Sequence, residues 1–194
     1  MGLSPRRGER IKAVLARRQP DLTVVIENIH DPHNVSAILR SCDAVGVMQV
    51  ELLYTIEKFP RIGRKSSSSA NKWLDRRKHT SVAECFATLR AEDFAIYATH
   101  LGAASRPLYD LDLTGKVALV FGNEHRGVSE EAARLADEKF QIPMAGMIQS
   151  LNVSVACAVS LYEALRQRSA KGDLENPKLS KQELHALYID WIKR

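Results

Sequence analysis

The chain has 194 residues, 45% of them hydrophobic, which suits one folded domain with a sizeable core and argues against intrinsic disorder. It has no run of about 18 uncharged apolar residues, so no membrane span is expected, and no apolar segment follows the basic N-terminus, so we expect a cytoplasmic protein. The net charge is +5, and residues 1–20 contain six basic side chains and one acid, so the whole excess lies in an N-terminal arm.

The N-terminal arm is predicted to form a short amphipathic helix at about residues 6–19. Ile11, Val14 and Leu15 share one face by their i, i+3, i+4 spacing, and arginines surround that face. A basic arm on a body without net charge indicates a polyanionic partner whose phosphates the arginines contact. A solvated helix face would have the same composition, so charge alone leaves nucleic-acid binding open.

Strands and helices alternate along the rest of the chain. Apolar and β-branched runs predict the strands LTVVIEN (22–28), VELLY (50–54), FAIYATHL (94–101), KVALVFG (116–122) and FQIPM (140–144). Periodicity and capping signals predict helices at 34–46, after Ser81, after Ser129, at about 151–168 and at about 181–193. This alternation predicts one α/β domain over residues 1–194, with a mostly parallel sheet and helices on both faces.

The helix ends carry recognisable signals. Asn34 is the expected N-cap of the 34–46 helix, and Gly46 ends it. Ser180 and Glu183 form a capping box before the last helix. For the helix at 151–168, spacing predicts an inward apolar face made of Leu151, Val155, Val159, Tyr162 and Leu165.

The three cysteines, Cys42, Cys85 and Cys157, are widely spaced among apolar neighbours. They form neither a CxxC motif nor a cluster with histidine, so we expect buried, reduced thiols and no structural metal.

The stretch KSSSSANKW (65–73) is the one segment of low complexity. Four serines bury little surface, so a mobile loop is predicted. Its flanking Arg64, Lys65 and Lys72 are placed to meet phosphate, although a plain flexible connection explains the composition equally well.

Two nucleotide-binding motifs are excluded. The sequence contains no GxGxxG, so a Rossmann dinucleotide site has little support. The segment GNEHRGVS (122–129) has the glycine spacing of a P-loop, but Val128 stands where that motif requires lysine.

Polar clusters follow three of the predicted strands, at 99–101, 122–127 and 147–152. Ligands gather at the carboxyl ends of parallel strands, so these loops are expected to line one pocket. Gly122, Gly127 and Gly146 would let the backbone approach a ligand closely.

Three segments in this order resemble the signature blocks of the SpoU-type RNA ribose 2′-O-methyltransferases, which belong to the SPOUT superfamily. They are residues 16–47, 117–132 and 142–168, which include NIHDPHNVSAILR, VALVFGNEHRGVSEEA and IPMAGMIQSLNVSVACAV. The lead-in RRQPDLTV and the exit YEALRQR are most similar to the branch that methylates guanosine 18 of tRNA. The resemblance covers nearly the whole chain.

The resemblance implies an α/β fold with a C-terminal trefoil knot and a homodimer. It also implies S-adenosylmethionine bound in the knot and an active site at the dimer interface. The positions matching the family's functional residues are Asn34, Arg40, Glu124, Ser150 and Asn152. Those matching its cofactor loops are Thr99, His100, Leu101, Gly122, Asn123, Glu124, Gly127, Ile142, Met144, Met147, Ser150 and Leu151. The candidate phosphate contacts are Arg10, Arg17, Arg18, Lys72, Arg166 and Arg168.

The implied reaction transfers a methyl group to a ribose 2′-OH in the tRNA D-loop. Arg40 is expected to be essential, either as a base assisted by a substrate phosphate or as a group that pins that phosphate and stabilises the developing alkoxide. Two alternatives remain: the same chemistry on rRNA or another tRNA position, and an RNA-binding scaffold without catalysis. Asp31 stands where related sequences often carry Lys.

Overall fold

Seven parallel strands form a single sheet in this computed structural model, which describes residues 4–60 and 70–194. The strands are β1 (Leu22–Glu27), β2 (Gln49–Leu53), β3 (Asp75–His79), β4 (Ala95–Thr99), β5 (Arg106–Pro107), β6 (Val117–Phe121) and β7 (Glu138–Gln141). Their order across the sheet is β3-β2-β1-β6-β4-β7-β5. The Ser66–Ser69 run and its neighbours Arg64 and Lys65 lie outside the described residues.

Helices cover both faces of this sheet, which confirms the predicted α/β architecture. The helices are α1 (Pro5–Leu15), α2 (Pro32–Val45), α3 (Val82–Ala91), α4 (Glu130–Leu135), α5 (Val153–Ala170) and α6 (Lys181–Trp191). One face packs against α2 and α5, and the other packs against α3 and α4. The terminal helices α1 and α6 form a separate apolar cluster with Ile11, Leu15 and Trp191 at its centre.

The central strands follow directly from the sequence, and the edges do not. β1 and β6 are apolar runs buried along their whole length, as expected where helices cover both faces of a sheet. β7 begins two residues before the predicted strand 140–144 and ends at Gln141. It ends before Pro143, because proline has no N–H for a ladder hydrogen bond. β3, with the sequence DRRKH, was missed because it carries no apolar pattern.

The prediction that Asn34 caps α2 is wrong. Asp31 is the N-cap, its carboxylate accepts a hydrogen bond from the His33 N–H at 2.8 Å, and Pro32 follows at the first helical position, where a missing N–H costs nothing. Asn34 therefore lies inside the first turn, buried, with its side-chain amide available for other contacts. Gly46 ends the helix as predicted, with φ of 90°.

The predicted inward face of α5 is also wrong in part. Val155 and Tyr162 are 47% and 54% exposed, whereas Cys157, Leu161 and Ala164 are fully buried. The buried face of α5, towards α2 and the sheet, includes small and polar residues such as Cys157, Ser160 and Ala164. Because these residues are not strongly apolar, the sequence shows no clear apolar periodicity on this face. Val155 and Tyr162 are consequently left on the outer face.

Two predicted phosphate contacts, Arg18 and Arg168, are corrected by their burial. Arg18 is 1% exposed and donates to the Asp43 carboxylate at 2.5 Å and to the Val47 carbonyl at 2.7 Å. Arg168 is 0% exposed, and its guanidinium donates to the Asp21 carboxylate at 2.7 Å and to several backbone carbonyls. With their guanidinium groups enclosed, both arginines anchor the chain rather than face a partner.

The terminal helices are joined to the body through a pair of tryptophans. The rings of Trp73 and Trp191 lie 4.9 Å apart, and the Ser180–Glu183 capping box that begins α6 is present as predicted. None of the described helices is long and apolar enough to cross a membrane. Within residues 4–60 and 70–194, no group of His, Cys, Asp or Glu side chains is arranged to hold a metal ion.

Candidate active site

A cavity of about 660 Å³ opens at the carboxyl ends of the central strands. The loops after β4, β6 and β7 line it, so the prediction that these three polar clusters share one pocket is confirmed. Every residue predicted for cofactor contact lines this cavity except Met147, whose side chain is fully exposed. Apolar Leu101, Ile142 and Met144 face it together with polar and backbone groups.

The loop after β6 is built around a close backbone contact. A Cβ on Gly122 would lie 2.1 Å from the Gly127 carbonyl oxygen, so only glycine fits there. Gly127 itself has φ of 70° and donates its N–H to the Asn123 carbonyl at 2.8 Å. The Asn123 side chain closes the loop, because its Oδ1 accepts from the His125 N–H at 3.0 Å while its Nδ2 donates to the Asn28 carbonyl at 2.8 Å.

Glu124 ties this loop to the start of α2. Its carboxylate accepts hydrogen bonds from the backbone N–H groups of His30 and Asp31, each at 3.2 Å, and from the Asn34 side chain at 2.9 Å. Burial acts to raise the pKa of Glu124, but these hydrogen bonds outweigh it and hold the pKa below the ordinary value of 4.5. The carboxylate is therefore ionised at neutral pH.

The network continues from Asn34 to the start of α5. Asn152 donates its side-chain N–H to Asn34 Oδ1 at 3.1 Å. Its own Oδ1 accepts from the Ser154 N–H at 2.9 Å, so Asn152 is also the N-cap of α5. Because Asn34 donates to Glu124 and accepts from Asn152, the orientation of its amide is fixed. One chain of hydrogen bonds thus joins the 28–40, 122–127 and 142–152 segments.

Asn28 is a residue that the sequence interpretation did not single out. It has φ of 50°, and its Oδ1 accepts from the N–H groups of Thr55, Ile56 and Glu57 at 2.9 to 3.1 Å. Its backbone carbonyl is the acceptor for Asn123, so Asn28 connects the loop after β2 with the loop after β6. The available signal is an asparagine at a strand end, since Asn tolerates left-handed backbone better than most residues.

An ion pair lies at the rim of the cavity. Arg126 donates to the Glu57 carboxylate at 2.8 Å, and His30 Nδ1 lies 3.6 Å from the same carboxylate. The hydrogen bond from Arg126 is the main cause of the lowered pKa of Glu57. This contact fixes the loop after β2 beside the cavity entrance.

The remaining predicted residues divide between the cavity and the open surface. Ser150 lines the cavity with an exposed side chain. Arg40 is exposed on the outer side of α2 and does not line the cavity of its own chain. The side chains of Arg10, Arg17, Lys72 and Arg166 are also exposed, and their predicted contacts with phosphate remain predictions.

Comparison with known proteins yields consistent matches. Residues 21–162 match the model of the SpoU rRNA Methylase family. The tRNA (guanosine(18)-2'-O)-methyltransferase of Thermus thermophilus is 46% identical over 97% of this chain and 96% of its own length. The crystal structure of the TrmH/SpoU tRNA modifying enzyme of A. aeolicus, 40% identical, superposes with a TM-score of 0.90 over 96% of this chain and 94% of its own.

A second solved structure holds a cofactor. The SpoU methyltransferase AviRb from Streptomyces viridochromogenes, in complex with AdoMet, is 25% identical. It superposes with a TM-score of 0.64 over 81% of this chain and 62% of its own.

Proposed function

The chain belongs to the SpoU methylase family, and on that premise we propose that it methylates the ribose 2′-OH of guanosine 18 in tRNA, with S-adenosylmethionine as methyl donor. The observation that carries the proposal is the hydrogen-bond chain from Glu124 through Asn34 to Asn152, which assembles all three signature segments beside one cavity. The match to the Thermus enzyme over 97% of the chain supports tRNA as substrate.

The cavity suits S-adenosylmethionine on chemical grounds. Gly122 and Gly127 line the cavity without side chains, and Leu101, Ile142 and Met144 offer apolar contact. Thr99 and Ser150 add hydroxyl groups at the cavity wall. The bound cofactor supplies a methyl group that its sulfonium has already activated.

The hydrogen-bond chain from Glu124 through Asn34 to Asn152 orients the ribose. Ser150 and Asn152, at the cavity wall, donate or accept hydrogen bonds with ribose hydroxyls, while Glu124 holds Asn34 and, through it, Asn152 in place. Orientation of this kind contributes up to roughly 7–11 kcal/mol in favourable systems. The guanidinium of Arg40 binds the substrate phosphate and stabilises the developing alkoxide.

A homodimer gives Arg40 access to a cavity. Arg40 lies outside the cavity of its own chain, and α5 presents the apolar side chains of Val155 and Tyr162 to the outside. In a dimer built on α5, the Arg40 of one protomer meets the cavity of its partner. The proposal also includes the C-terminal trefoil knot that the resemblance implies. It places the protein in the cytoplasm, where the tRNA pool lies.

Subunit complementation tests the composite site. Arg40→Ala and Asn152→Ala chains are purified separately, mixed under dimer-exchange conditions and assayed. Mixed dimers regain one intact site and recover activity if the two residues meet across the interface. Activity that stays at the level of the parent variants contradicts the arrangement.

The proposed reaction is tested with methyl-labelled S-adenosylmethionine and three substrates: a tRNA transcript, an rRNA fragment and a tRNA with guanosine 18 replaced. Label only in the first supports the proposal. Label in the rRNA fragment would show that rRNA is a substrate. Equal label in the replaced tRNA would show that another tRNA position is methylated. RNA binding without any transfer of label identifies a scaffold.

A further inference from the structure

The edge strand β3 has two faces of very different charge balance. On the face towards α3, Arg77 donates to the buried Glu51 at 2.8 and 3.0 Å and to Glu92 at 2.5 and 3.2 Å. His79 Nε2 lies 2.7 Å from the same Glu51. The cations on this face are therefore matched by carboxylates of β2 and the end of α3.

The other face of β3 carries Arg76 and Lys78, and no acid balances them. In the parallel register they are level with Val50 and Leu52 of β2, whose side chains face α2. Both are exposed, and neither forms an ion pair with a described carboxylate. The undescribed residues 1–3 and 61–69 contain no Asp or Glu, so they hold no acid that pairs with either side chain.

Lys72 extends these two charges along the same side of the molecule. It ends the short 3-10 turn Ala70–Lys72, which packs against α2. Its backbone carbonyl accepts a hydrogen bond from Arg194, just beyond α6, and the adjacent Trp73 stacks on Trp191. Lys72 thus lies between α2, which carries Arg40, and the paired helices α1 and α6.

We infer that Lys72, Arg76 and Lys78, the β3-edge patch, form a binding surface for tRNA phosphates that continues from Arg40 towards the basic helix α1. The inference rests on the proposed function, since it takes tRNA as the ligand. Uncompensated cations on one face attract a polyanion, and each phosphate they neutralise releases counterions. Charged side chains also protect edge strands against pairing with other sheets. That role requires charge of either sign, whereas phosphate binding requires positive charge.

The test measures tRNA affinity across a salt series for the double variant Arg76→Gln/Lys78→Gln. Arg134→Gln/Lys116→Gln is the matched control, because it removes two exposed cations that lie against the α3 and α4 side. We expect the patch variant to bind roughly tenfold more weakly near physiological salt, with the salt slope reduced by about one per lost contact, and the control to bind like wild type. An unchanged slope, or equal losses in both variants, overturns the inference.

Charge reversal separates binding from edge protection. Arg76→Glu/Lys78→Glu keeps the edge charged, so a protective role predicts wild-type affinity and solubility, whereas phosphate binding predicts a larger loss than the glutamine variant. Melting temperature and cofactor affinity verify folding, and the single variants give about half the loss each. A wild-type protein that binds tRNA without methylating it contradicts the proposed function, while the salt slopes still decide the patch.

Discussion

The two walls of the cavity differ in how they are held. In the 122–127 loop, side chains and backbone are bound to neighbouring segments through Asn123, Glu124 and the Gly122–Gly127 contact. In the 145–151 loop, Met147 is 100% and Ile148 63% exposed, and no side chain hydrogen-bonds to another described residue. The first wall is formed by the chain alone. The second leaves apolar groups that a cofactor or a second protomer would cover.

The largest effect on cofactor binding is expected in the 122–127 loop, the preformed wall of the cavity, where the backbone packing is tightest. In Gly122→Ala, the new Cβ meets backbone that cannot move aside, so cofactor binding is lost and stability falls by about 1–3 kcal/mol or more. Gly146→Ala is the control in the other wall, since a Cβ there has no neighbour within 4 Å. Calorimetric titration with S-adenosylmethionine measures both. Wild-type cofactor affinity in Gly122→Ala would refute a preformed wall.

The second largest effect is expected from removing the hydrogen bonds of Glu124. Glu124→Gln keeps the size of the side chain but removes its charge and one acceptor, so it is expected to lower stability by about 1–2 kcal/mol at neutral pH. Because the folded-state pKa is lowered, this contribution is fully present above pH 4.5 and lost as pH falls through the folded value. Melting temperatures of both proteins therefore converge in acid. A constant difference from pH 7 to pH 3 contradicts the assignment, and exposed Glu131→Gln serves as control.

Asn28 tests how far the preformed wall depends on the loop after β2. Asn28→Ala leaves three backbone N–H groups without their acceptor, and we expect a loss of about 2 kcal/mol and a raised KM for tRNA. Asn28→Asp keeps the acceptor and tolerates the left-handed backbone, so it restores most of both properties. Equal behaviour of the two variants in unfolding and kinetic assays would remove Asn28 from the site.

The smallest effect on stability is expected in the open wall. Met147→Ala changes a side chain with no buried surface, so the free energy of unfolding of the separate chain should stay within about 0.5 kcal/mol of wild type. Its cofactor affinity or dimerisation should nevertheless weaken, which titration and sedimentation velocity detect. A Met147→Ala protein that matches wild type in all three measurements shows that this wall stays open in the working enzyme.

The parts of the fold that the sequence predicts are those with local causes. The buried runs of β1 and β6, the Gly46 helix end and the Ser180–Glu183 capping box each follow from neighbouring residues. β3 depends on the contact of Arg77 with Glu51, which lies 26 residues away in the chain. No local sequence pattern therefore predicts this strand. The resemblance named the residues of the polar chain, but their mutual hydrogen bonds span 90 residues or more. Burial of Arg18 and Arg168 has no signature in composition.

The central claim is methyl transfer to one ribose oxygen. The most direct measurement is a single-turnover reaction with labelled S-adenosylmethionine and two tRNAs that differ only in a 2′-hydroxyl or 2′-hydrogen at guanosine 18. The account predicts one methyl group per tRNA with the hydroxyl and none with the hydrogen. Transfer to the 2′-deoxy tRNA, or a methyl group mapped to the base or to another nucleotide, would contradict it.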